Sequence, residues 1–76
     1  MTVRIEPPVV VAGHVLRAVV TVRRDAAPMG ARGIAAHGEK RPVAIIVGTG
    51  AAARLLGLDG AERAPEDFGL TPQDIA

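Results

Sequence analysis

Near the start of the chain Val3 and Ile5 alternate with Arg4 and Glu6, the period of a strand with one buried face. Pro7 and Pro8 follow, and neither can donate a ladder hydrogen bond, so the pattern predicts an edge strand or a bend there. Val9, Val10 and Val11 resume the β-branched run, and Ala12-Gly13 is the expected turn. Residues 14–24 form the clearest strand. They place Leu16, Ala18, Val20 and Val22 on one face and Val15, Arg17, Val19, Thr21 and Arg23 on the other. The first set is wholly apolar and is assigned to the core. The second is mixed and is assigned to a partly wet face. Residues 3–24 thus read as an antiparallel hairpin.

Residues 25–41 carry neither a helical nor a strand period, and Pro28, Gly30, Gly33 and Gly38 punctuate them, so a surface connection is expected. Residues 42–47, Pro-Val-Ala-Ile-Ile-Val, are a continuous apolar run ended by Gly48, which predicts a strand buried on both faces. Beyond it, Thr49 has the chemistry of a helix cap, Ala51–Leu56 favours a short helix, and Gly57 would end it. Two turns are too few to stand alone, so Leu55 and Leu56 would pack on the sheet. Pro65-Glu66-Asp67-Phe68 suits one turn with its acids at the positive end. Thr71-Pro72-Gln73-Asp74 has the form of a capping box with Asp in the reciprocal place, opening a docked terminal turn or a helix continuing past Ala76.

The resulting fold class is α+β: a small, mostly antiparallel sheet from the hairpin 3–24 and the buried strand 42–47, one short helix, and a capped C-terminal turn. The expectation is a single small domain over 1–76, with 59–76 as an acidic tail that docks through Phe68 and Leu70.

Composition sharpens this. Of the 37 hydrophobic residues 14 are Ala, leaving 23 larger apolar side chains. A chain of this size buries only about 60% of its unfolded surface, so its core is marginal. There is no Cys, Ser, Asn, Trp or Tyr, which excludes a disulfide scaffold, a zinc–thiolate site and a Cys or Ser nucleophile. Without such staples, association is the expected source of the missing buried area. The formal net charge of +1 excludes a polyelectrolyte acting through bulk charge. It conceals a division, because residues 1–54 hold eight basic and three acidic groups (+5) and residues 55–76 one and five (−4). Glu6 and the two prolines interrupt any signal-like run. No apolar stretch approaches the roughly 20 residues of a membrane helix. A cytoplasmic protein without a membrane partner is therefore expected.

The sharpest candidate chemistry is Gly48-Thr49-Gly50. It follows a buried strand and shares the glycine spacing that opens dinucleotide-binding folds. The second parallel strand and its terminal acid do not follow, and no family is identified. What the spacing supports is a small anion at a strand-to-helix turn, with Arg32 or Arg41 closing over it. The basic residues Arg17 and Arg23 are read as interaction residues. With no Tyr or Trp to stack bases, nucleic acid is not the expected partner. His14 and His37 stand alone and read as surface residues, and Glu66-Asp67 as helix-start acids. The expected function is a non-enzymatic structural or interaction module, either a homo-oligomer or a small subunit of a larger complex. The alternative is a small anion- or nucleotide-binding domain. Neither a resident cofactor nor a metal is expected.

Overall fold

The computed structural model describes residues 2–23 and 39–76. Five strands make one antiparallel sheet: β1 (Thr2–Ile5), β2 (Val9–Val11), β3 (His14–Arg23), β4 (Glu39–Val47) and β5 (Arg54–Gly57). The order is β1-β3-β4-β5, and β2 pairs with the other end of β3. β1 and β2 are two pieces of one edge strand. Ile5 lies opposite Val19 and Val9 opposite Leu16, and Pro7-Pro8 break the ladder between them. The amide of Glu6 still donates to the Ala18 carbonyl at 2.8 Å, which keeps the edge in place across the break. Among the described residues helix contributes only α1 (Pro72–Ile75) and two 3-10 turns, Gly50–Ala52 and Pro65–Phe68, so the fold is mostly β.

The β2–β3 turn is the two-residue hairpin at Ala12-Gly13. Both residues are left-handed, with φ of 51° and 82°, as the turn that matches strand twist requires. Gly13 adopts this freely, whereas Ala12 carries a Cβ that the conformation penalises. Ala12→Asn should therefore raise stability by about 0.5–1 kcal/mol, seen as a melting temperature several degrees higher. A lower melting temperature would contradict the turn geometry.

Val20 apart, the core lies on one side of the sheet. Val19, Ala44, Ile46 and Leu55 are its buried centre, and Val3, Ile5, Val43, Ala53, Phe68, Leu70 and Ile75 pack around them. The register explains the grouping. Ile5, Val19, Ala44 and Gly57 stand in one row across four strands, and Arg17, Ile46 and Leu55 in the next. Between Val19 and Val20 the β3–β4 register shifts, because Val19 pairs with Ala44 and Val20 with Pro42. Val43 is the extra residue of a bulge, which turns it to the same side as Ala44.

Three expectations are corrected by this arrangement. The most deeply buried residue of β3 is Val19 of the mixed set, and of Leu16, Ala18, Val20 and Val22, assigned to the core, only Val20 is buried. Within the mixed set Val19 is buried and Val15, Arg17 and Thr21 are half-buried, because Phe68, Leu70 and Ile75 of the C-terminal segment pack on this face and the Ile75 and Ala76 carbonyls accept from Arg17. Residues 42–47 are not buried on both faces. Ala44 and Ile46 are buried, while Val43, Ile45 and Val47 are half-buried. Finally, Ala51–Leu56 is no helix. One 3-10 turn is followed by β5, because Leu55 and Leu56 complete a ladder with Ile46 and Ile45. Tertiary pairing overrides the helix preference of the alanines.

The tail is held by local devices. The Asp74 amide donates to Thr71 Oγ1 at 3.3 Å, and the Thr71 amide donates to Asp74 Oδ2 at 2.7 Å, a complete capping box. Gly69, at φ 73°, ends the preceding 3-10 turn. No helix among the described residues is long and apolar enough to cross a membrane.

Candidate functional site

β4 is nine residues long, but β5 pairs only with its last four, Ala44–Val47. The reason is the turn after Gly57. Gly60 donates to the Gly57 carbonyl at 2.9 Å, Gly57 to Ala61 at 2.8 Å, and Arg63 to Leu55 at 2.9 Å. The chain thus doubles back along the outer edge of β5, and no strand among the described residues pairs with the edge of β4 at residues 39–43. A notch of about 610 Å³ opens there. Pro42, Val43 and Leu58 give it apolar walls, and Phe68 of the tail closes one side. Its charged lining is Asp59, Arg63 and Asp67.

Gly57 is the floor. A Cβ at this position would stand 3.0 Å from both Arg63 Nε and Asp59 Oδ1, so glycine lets that pair lie over the end of β5. Arg63 Nη2 and Asp59 Oδ2 are 3.5 Å apart. The Ala61 amide, donating to Asp59 Oδ1 at 3.0 Å, is the main cause holding the Asp59 carboxyl below its ordinary value. The Arg63 guanidinium adds to it. The amide of Asp67 donates to the Ala64 carbonyl, while its carboxylate has no ion-pair partner among the described residues.

The proposed anion turn takes a different form. Gly48 and Gly50 are left-handed, at φ 87° and 64°, and connect strand to strand rather than strand to helix. A Cβ on Gly48 would crowd the Ala52 carbonyl oxygen at 3.2 Å. The Gly48 amide already donates to Val15, and the Thr49 side chain makes no cap bond. Arg41 pairs with Thr21 near the far end of β4. Six residues of strand, 42–47, separate it from Gly48, about 20 Å, too far to close over the turn. Arg32 lies outside the described residues, as does the side chain of Arg23, whose backbone ends β3 opposite Glu39.

The cation that does reach Gly48 is Arg17. Its Nη2 donates to the Ile75 carbonyl at 2.5 Å and to Gly48 at 3.4 Å, and Nη1 donates to Ala76 at 3.5 Å. Its Nε is buried without a partner. Arg17 is therefore half-buried and occupied by carbonyls, where sequence placed it on a wet face. Phe68 and Leu70 are half-buried against the core. His14 is exposed at the start of β3. No three His, Cys, Asp or Glu side chains gather as a metal-ligand set among the described residues.

Sequence reasoning missed the notch and the Arg17 clamp. Leu58-Asp59-Gly60, a turn signal directly after Leu55-Leu56, carried the information that this segment is a short strand ending in a turn. Nothing in the spacing marked Arg17 as the charged residue that faces inward. No family model, curated protein or solved structure matches the chain.

Proposed function

We propose that the chain is a non-enzymatic interaction module that associates with a second copy of itself through the sheet face opposite the tail. The observation that carries this reading is the apolar composition of that face. Leu16, Ala18, Ile45, Val47 and Leu56 are cross-strand neighbours there, and all remain half-exposed. Val9 and Val11 extend the stripe at 59% and 54% exposure, on an edge strand whose three valines carry no charge. Contiguous apolar surface and an uncharged edge are the features that monomeric proteins usually avoid.

Charge supports a two-fold arrangement. Arg54 and Glu62 pair at one end of this face, and Arg4, Glu6 and Lys40 cluster at the other. Each end offers both signs, so a self-complementary contact can match them. No observation favours the anion-binding alternative, since Arg41 lies far along β4 from the glycine turn and Arg32 is outside the described residues.

Light scattering with size exclusion at about 100 µM tests the reading, a concentration at which a micromolar dimer is nearly complete. The expected mass is at least twice the 7.8 kDa of one chain. Ile45→Lys, placed between Ala18 and Leu56, should return the mass to one chain while leaving the circular dichroism of the sheet unchanged. A wild-type monomer at that concentration would overturn self-association.

A further inference from the structure

We infer that the notch beside Val43 binds an organic cation with an apolar stem, an alkylguanidinium or alkylammonium group. It stands apart from the proposed association, which uses the opposite face of the sheet.

Volume and shape come first. About 610 Å³ lies within the range of small-ligand pockets. The notch is bounded by a sheet edge, yet an added strand is a poor occupant. Pro42 offers no amide to pair with, and the bulge at Val43 breaks the ladder spacing. A compact group entering between the walls fits better than an extended backbone lying along them.

Charge then selects the ligand. Asp59 and Arg63 neutralise one another, and Asp67 leaves the lining with one net negative charge. An anion meets Asp67 and finds the Arg63 guanidinium already engaged. A cation gains Asp67 and the ring of Phe68, the one aromatic residue of the chain. Pro42, Val43 and Leu58 supply apolar contact for its stem, and Leu58 is otherwise 68% exposed to water. The same chemistry is carried by a free amine or guanidine and by a Lys or Arg side chain on a polypeptide.

The test is a titration of the full chain followed by amide nitrogen–proton correlation spectra. The probe is butylguanidinium, with 1-butanol and butyrate as neutral and anionic controls. Saturating shifts are expected at Val43, across 58–63, and at Asp67 and Phe68. Asp67→Asn should weaken binding about three- to fivefold, the scale of one exposed charge pair. Phe68→Leu should weaken it by a similar factor, with unshifted β3 amides verifying the fold. A tripeptide with a central Arg and blocked ends identifies the source. Tighter binding than butylguanidinium assigns the group to a polypeptide, and equal or weaker binding to a free solute. Either ranking supports the site. Butanol shifting the same amides equally, no saturating shift with the cation, or unchanged affinity in Asp67→Asn would each overturn it.

Discussion

Ile46→Ala should bring the chain to the edge of unfolding at room temperature. Ile46 has no exposed surface and lies between Arg17 and Leu55 across the ladder. Truncating a buried Ile costs about 2–5 kcal/mol, from lost transfer energy and the cavity left behind. A chain of this size has a total stability of roughly 4–11 kcal/mol. The substitution therefore removes a large share of it. With a urea dependence of about 1 kcal/mol per molar, the unfolding midpoint should fall by about 2 M or more. Ile46→Val should cost only about 0.5–1.5 kcal/mol, so the pair gives a graded response. Both are to be compared at equal protein concentration, because association adds apparent stability. An unchanged midpoint in Ile46→Ala would mean that the core lies on the other face of the sheet.

Arg17→Met is the second large effect. Methionine keeps an unbranched apolar stem against the core and removes only the guanidinium. The carbonyls of Gly48, Ile75 and Ala76 then lose their common donor. Hydrogen bonds to a charged group contribute about 1.5–3 kcal/mol, more than those between neutral partners. Against this stands the partial desolvation of the cation, including the unpartnered Nε. Arg17 is only half-buried, so the hydrogen bonds outweigh that cost, and a net loss of about 1–3 kcal/mol is expected. Hydrogen exchange locates the loss. Amides over 67–76 should exchange faster, and those of β4 should change least. If Arg17→Met is as stable as wild type and the tail keeps its protection, the clamp contributes nothing.

How much of this was written in the chain depends on the kind of signal. Strict alternation at Val3-Arg4-Ile5, the length of β3 and the Ala12-Gly13 turn are local patterns, and they predicted an antiparallel hairpin that the fold contains. The capping box at Thr71 is likewise local and is present. The misread elements are those decided by partners distant in sequence. Arg17 looks like a solvent-facing charge because its carbonyl acceptors lie 31 to 59 residues away. The segment Ala51–Leu56 has helical composition, but Ile45 and Ile46 draw its two leucines into a ladder. The notch depends on a mismatch in length between β4 and β5 and on a bulge, and neither leaves a mark in periodicity. Of the residues placed at an anion site, Arg41 was near in sequence to Gly48 and far along an extended strand.

The register also orders the assembly of the chain. The β2–β3 turn joins His14 to Val11, and the β4–β5 connection joins Arg54 to Val47, so both hairpins close over short loops. The β3–β4 ladder does not, because Arg23 and Glu39 meet only after fifteen intervening residues. Short closures are entropically favoured over long ones. Two nascent hairpins would then form early, and the zipping of β3 onto β4 would be the slow event that makes them one sheet. Val19 and Ala44, at the centre of that seam, belong to the rate of folding. Phe68 and Arg17, which bring the tail down on a finished face, belong to the rate of unfolding.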